Sequence, residues 1–284
     1  MPAPVPAGFT RGALVATGGH EPLNDASYIL QYFWQLAGSY GARIAIIPTA
    51  SRDFDAAEQA RALFAGWGAN WAELLPIRTR LDARSANVQA VIQHATAYFF
   101  TDGNPLRLST VLGGTPAAQA IRRGHARGKV VAGSGHAGAF LAEHMIVYAE
   151  PRPQPERGIV RFAPGLGLTN RVIFVADYTP AAWYGPLCVA VAANPFLLGV
   201  GIHANAAVVL HPGNLLEGVG EVPATLANGS DITQTNLYEV PFGQPVHIEG
   251  IEFGQLPHDF YYDIDKRGLY EEENILADPV RSSF

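Results

Sequence analysis

The stretch Lys129-Val130-Val131-Ala132-Gly133-Ser134-Gly135-His136-Ala137-Gly138-Ala139-Phe140-Leu141 reads as a buried strand, a glycine-rich sharp turn and the start of a helix. This is the layout of a nucleophile elbow, in which small residues two before and two after the apex let a strained turn push one side chain into a cleft. The spacing Ser134-x-His136-x-Gly138 gives the apex to an imidazole. Such an apex faces the amide groups that open a helix, where developing negative charge is favoured. His136 is the first candidate for chemistry, as a catalyst, a metal ligand or the remnant of a lost site.

Outward from the elbow, apolar runs at 13–17, 43–48, 73–77, 98–101 and 130–132 alternate with segments of helical spacing at 26–40, 56–67, 87–95 and 116–127. Near-continuous apolar strands separated by helices indicate a largely parallel sheet covered on both faces, so the fold class is α/β. In such sheets ligands bind beyond the carboxyl ends of the strands. That selects Gly18 to Glu21, Thr49 to Arg52, Asp102 to Asn104 and Ser134 to Gly138. Further strands at 172–175, 206–210 and 245–248, with hairpin-like connections, make the expected sheet mixed. We read residues 1–255 as one domain and 256–284 as a C-terminal arm lying on the body or on a neighbouring subunit.

The chain has 284 residues, 48% of them apolar and 15% charged, with a formal net charge of -6. Scattered Lys and Arg give no footprint for nucleic acid or anionic membrane. The single cysteine, Cys188, rules out an internal disulfide framework or a multi-cysteine metal site, and its apolar surroundings suit core packing. No basic segment followed by an apolar one opens the chain, and no apolar run approaches the ~20 residues of a membrane span. The expectation is a soluble cytoplasmic protein.

Several motifs occur in a telling order: Ile46-Ile47-Pro48-Thr49-Ala50-Ser51, Phe100-Thr101-Asp102-Gly103-Asn104, the elbow ending His136-Ala137-Gly138-Ala139, Gly165-Leu166-Gly167-Leu168, and Asn194-Pro195 before Leu198-Gly199-Val200-Gly201-Ile202. From about residue 14 to 210 the chain resembles the cyanophycinase family of serine peptidases. The resemblance implies a class I glutamine amidotransferase-like fold, a homodimer, and an elbow serine assisted by a histidine and an acid in cleaving β-linked aspartyl-arginine dipeptides. Carried over by position, that machinery is replaced. The serine falls on His136, and the family's histidine falls on Asp177 within Ala176-Asp177-Tyr178-Thr179. The substrate-binding arginines give way to Trp183-Tyr184-Gly185-Pro186, an acidic stretch becomes His203-Ala204-Asn205, and the Gly-Gly of the oxyanion pocket becomes Asp102-Gly103.

Three chemical readings stay open. His136 can serve as general acid or base, oriented by Asp102 or Asp177, since an imidazole titrates near neutral pH. His20, His136 and His203 can instead gather with an acid around a divalent metal such as zinc or iron. A relocated nucleophile, Ser134, would need a base within hydrogen-bonding reach. Against all three stands a non-catalytic relative that only binds a ligand. Gly103, Asn104, Ser51, Arg52, Trp183 and Tyr184 are the candidate binding residues for a small, amino-acid-derived or short peptide-like substrate. His94, His125, His144, His211, His247 and His258 lie away from the expected rim and read as structural or surface groups.

Overall fold

The computed structural model describes residues 1–270. The elements in order are β1 (Leu14–Thr17), α1 (Tyr28–Leu36), β2 (Arg43–Ile47), α2 (Asp55–Gly66), β3 (Trp71–Leu74), α3 (Ala86–His94), β4 (Ala97–Phe100), α4 (Pro105–Leu112), α5 (Pro116–His125) and β5 (Val130–Gly133). A short 3-10 helix, Gly135–Leu141, follows directly. Then come β6 (His144–Ala149), β7 (Val160–Pro164), β8 (Val172–Val175), α6 (Pro180–Ala193), β9 (Leu198–Gly201), β10 (Ala206–His211), β11 (Leu215–Gly220) and β12 (Ala224–Asn228). The last are β13 (Gln234–Thr235), β14 (Ile248–Glu249), β15 (Glu252–Leu256), β16 (Tyr261–Asp263) and β17 (Gly268–Leu269).

Among the described residues nine strands form the main sheet, in the order β17-β16-β11-β10-β1-β5-β4-β2-β3. The five from β1 to β3 run parallel; β10 then pairs antiparallel on the free edge of β1 and starts a meander through β11 and β16. The strand alternation sorts the core into two layers, because successive side chains point to opposite faces. Ile44, Ile46 and Phe99 enter the layer holding Phe33 and Phe64 of α1 and α2, while Ala45, Ile47, Tyr98 and Phe100 enter the layer holding Leu108, Ile121 and Phe140. Full burial of a large apolar side chain stabilises by about 1.5–3 kcal/mol, which is why such runs choose the sheet centre.

The helices start where their caps stand. Ser27, Ser85 and Thr115 accept the N–H of Leu30, Val88 and Ala118 to open α1, α3 and α5. The expected strand at 73–77 lies slightly earlier, as β3. The region 172–175 is a strand but joins a second, four-stranded sheet, β15-β12-β9-β8, so the mixed sheet expected as one is a large sheet with a smaller one beside it. The reason is pairing: β8 joins β9 in parallel, and β9 turns its other edge to β12. The expected strand at 245–248 shrinks to the two residues of β14.

Within residues 256–270, β16 pairs with β11 and Ile264 is fully buried. The rest of the expected arm, 271–284, lies outside the described residues. Among the described residues no helix is long and apolar enough to cross a membrane.

Candidate functional site

The carboxyl ends of β1, β4 and β5 meet, and β8 and β9 end beside them. Gly18 donates its N–H to Ala206 O and accepts from Asp177 N–H at 2.9 Å; a Cβ on Gly18 would meet the His203 carbonyl at 1.8 Å. These contacts place the segments carrying His20, Asp102, His136, Asp177 and His203 at one rim.

The turn after β5 differs from expectation by one residue. Gly135 has φ +52, whereas His136 is not among the positive-φ residues. The close approach between the two arms of the elbow is made by Gly133, where a Cβ would meet Gly138 Cα at 2.7 Å and Ala137 O at 2.8 Å. The strained apex is therefore Gly135, which carries no side chain, and His136 is the residue after it. The register moves because Gly135 N–H is tied to Thr17 Oγ1 at 3.0 Å, and glycine adopts the left-handed turn without steric cost.

Asp102 fills the space in front of that apex. A Cβ at Gly135 would lie 2.4–2.5 Å from the Asp102 carboxyl atoms. Two backbone N–H groups converge on Asp102 Oδ1: Gly103 at 2.6 Å and His136 at 2.9 Å. Two N–H groups aimed at one oxygen, one of them from the residue after an elbow apex, are the geometry of an oxyanion hole. Here a carboxylate of the protein occupies it. Gly103 holds this position because, at φ +145, it packs on Ala50, whose carbonyl oxygen a Cβ would meet at 2.6 Å.

The His136 ring stands over the same carboxylate, with Nδ1 3.6 Å from Oδ1 and both side chains about half exposed. The Asp102 carboxylate beside Nδ1 raises the imidazole pKa above its ordinary value; partial burial opposes this, and the charge of Asp177 adds to it. For Asp102 burial is the largest single influence and pushes upward, but the His136 ring and the N–H groups of Gly103 and His136 together bring the carboxyl below its usual range. The result is a polarised pair whose other ring nitrogen, Nε2, is the free end of the imidazole.

Beneath the elbow lies a polar cluster around Glu21, which the sequence placed after β1 without giving it a role. Glu21, only 8% exposed, accepts from Thr17 Oγ1 at 2.9 Å and from the Ser134 hydroxyl. Thr17 Oγ1 in turn receives the N–H groups of Gly19 and Gly135. Ser134 is thus committed to a buried carboxylate, with no imidazole on its hydroxyl. The available signal was Glu21 following a buried strand and two glycines, a place where a solvated charge is unexpected.

The other candidates divide. Asp177, at φ +49, is close enough for its charge to act on His136. The His203 ring stacks edge-on against Tyr178 with centroids 5.4 Å apart, and burial lowers its pKa. His20 is exposed at φ +62. Among the described residues no three His, Cys, Asp or Glu side chains are grouped to hold a metal ion, so the set His20, His136 and His203 does not form one. Their rings are held by separate loops, one of them locked on Tyr178.

Asn104 caps α4 by accepting Leu106 N–H, and Ser51 accepts Asp53 N–H, which accounts for both locally. Arg52 is exposed. Trp183 packs on the small-sheet core, and Tyr184 stacks on Phe253 with ring centroids 5.2 Å apart.

Comparison with known proteins agrees with this architecture. The model of Peptidase family S51 matches residues 13–181. The chain is 30% identical over 257 residues to the cyanophycinase of Geminocystis herdmanii, covering 90% of this chain and 94% of that protein. It is 31% identical over 271 residues to the cyanophycinase of Trichormus variabilis, covering 94% and 89%. Among solved structures, a peptidase from an acI-B1 Actinobacterium aligns with TM-score 0.62 at 21% identity, over 86% of this chain and 98% of that one. At these identities the structural match speaks for the fold alone.

Proposed function

The chain belongs to peptidase family S51 as a cyanophycinase-like member, and from that premise we propose that it has exchanged covalent serine catalysis for proton transfer by His136 on a small amino-acid-derived or peptide-like substrate. The observation that carries this reading is the Asp102–His136 pair standing in front of an apex, Gly135, that has no side chain. Without a nucleophile at the apex there is no acyl-enzyme, so the imidazole acts directly on water or on a substrate C–H.

In this scheme Asp102 orients His136 through Nδ1 and stabilises the imidazolium that forms when Nε2 takes a proton. The same proton returns to the leaving group or to the rearranged carbon. Elimination or isomerisation asks less of this cleft than amide hydrolysis does, because the N–H groups of Gly103 and His136 that would receive an oxyanion already hold Asp102. That occupancy is also what favours a second reading, a cleft that binds such a molecule without turning it over.

The test is a panel of β-aspartyl dipeptides, N-acyl amino acids and free β-substituted amino acids, assayed for product formation and for binding. The expected outcome is turnover of at least one class, lost in His136→Gln and reduced roughly 100-fold in Asp102→Asn. Turnover that survives His136→Gln removes His136 from the chemistry, and binding without turnover establishes the second reading. Release of arginine from β-aspartyl-arginine is expected to be undetectable; measurable release would overturn the assignment of the missing nucleophile.

A further inference from the structure

The loop after β2 is stitched to the start of α4. Arg107 Nε donates to Thr49 O at 2.8 Å, Asn104 N–H donates to Ala50 O at 3.0 Å, and Gly103 packs on that same Ala50. Gly103 is also the residue whose N–H holds Asp102 Oδ1, the oxygen 3.6 Å from His136 Nδ1. The Arg107 guanidinium is therefore fixed at the strand-end rim of the cleft.

Its place there follows from strand order. β4, which leads into Asp102, pairs with β2 on one side and β5 on the other. Arg107, bonded to the loop after β2, and His136, in the turn after β5, thus flank Asp102 from opposite sides. Two strand spacings separate them, about 10 Å, a gap that a small amino-acid derivative spans.

Only the Nε end of Arg107 is used. The half-buried guanidinium has no ion pair and no second hydrogen bond among the described residues, and its Nη1 and Nη2 both remain accessible. That is unusual, since charged side chains withdraw from water mainly when they are paired. A guanidinium held by Nε presents its two Nη atoms as a fork, the geometry that takes a carboxylate in two parallel hydrogen bonds. Arg52, the arginine named as a candidate from sequence, is exposed and has no such anchor among the described residues.

The two sides of the rim differ in sign. Asp102 and Asp177 both bring negative charge to His136, so a second anion at that side would be repelled. We propose that Arg107 is the carboxylate anchor of the cleft, so that its substrate is an amino-acid derivative with one free carboxylate and no second anion. The inference rests on the Asp102–His136 reading for where the reacting bond lies, and on Arg107 alone for the carboxylate.

The test is NMR titration of the full chain with N-acetyl-L-alanine, with N-acetyl-L-alaninamide as the probe lacking the carboxylate and N-acetyl-L-aspartate as the probe adding a second one. Saturable binding of N-acetyl-L-alanine is expected, with both other probes weaker by about tenfold or more. Arg107→Gln should erase the preference for the acid over the amide, and Arg52→Gln should keep it. An arginine with a merely structural role would weaken acid and amide alike when replaced. Should Arg107→Gln fail to fold, the unaltered protein decides: the backbone amide signals of residues 49–51 and 103–107 should move with the acid and stay with the amide. The proposal is overturned if N-acetyl-L-alanine does not saturate, if either control binds as well, if Arg107→Gln weakens acid and amide alike, if Arg52→Gln erases the preference, or if those amide signals do not respond to the acid. Turnover is read separately. An acid bound with this preference and left unreacted supports Arg107 as the anchor and counts only against proton transfer by His136.

Discussion

A side chain at position 135 and a carboxylate at position 102 compete for one volume, since a Cβ at Gly135 would come within 2.4–2.5 Å of the Asp102 carboxyl atoms. Gly135→Ser should therefore restore no activity on its own and should destabilise the protein by about 2–4 kcal/mol, from overpacking together with a positive φ on a non-glycine residue. Removing the carboxylate in the Asp102→Gly, Gly135→Ser double variant should recover at least ~1 kcal/mol relative to the sum of the single changes. Urea denaturation of the four proteins measures this, and strict additivity would mean that the two positions do not collide. The pH dependence belongs to the same pair. A general base must be neutral, and the His136 pKa is raised, so activity should climb with pH through a midpoint above the ordinary ~6.5. Asp102→Asn removes the largest cause of the raise and should move that midpoint downward; a pH–rate profile with an unmoved midpoint would detach Asp102 from His136. The sequence displays both residues plainly. It cannot say which of Gly135 and His136 takes the left-handed turn, because Thr17, more than a hundred positions away, settles that through its bond to Gly135 N–H.

At the scale of elements, the parallel strands were legible because β1, β2, β4 and β5 are apolar along nearly their whole length, and only a strand covered on both faces tolerates that. Helix α4 was not among the expected helices, since its eight residues are short for a periodic pattern, although Asn104 and Pro105 are the cap and first-turn residues that open it. The joint between β1 and the elbow was not legible either, for it depends on polar side chains that composition assigns to the surface. Thr17 ends β1 fully buried and serves three partners: it donates to Glu21 and accepts from Gly19 and Gly135. Thr17→Val keeps the shape and removes the oxygen, leaving a buried carboxylate oxygen and two N–H groups short of a partner. The expected loss is about 1–3 kcal/mol of stability, with Thr17→Ser retaining most of it. Matching urea midpoints for Thr17→Val and the unaltered protein would show that the cluster does not hold the elbow.

For the whole molecule, the question raised by the sequence is whether the chain after residue 255 covers the domain or completes it. Aromatic Phe260, Tyr261 and Tyr262 suggested a cover, since a strand of three residues leaves no periodicity to read. In the structure Leu216 pairs with Tyr262, Ile264 N–H bonds Asn214 O at 3.0 Å, and Tyr262 and Ile264 enter the same core cluster as Leu210 and Leu216. Burying two such side chains is worth about 3–6 kcal/mol in all, against a typical total stability of about 5–15 kcal/mol. A chain ending at residue 256 loses that burial and also uncovers the edge of β11, an unpaired strand edge that invites aggregation. It should be recovered largely insoluble, or melt by circular dichroism roughly 10 °C or more below the full chain. A truncated protein that keeps the full chain's solubility and melts within ~3 °C of it would show the segment to be a removable cover after all.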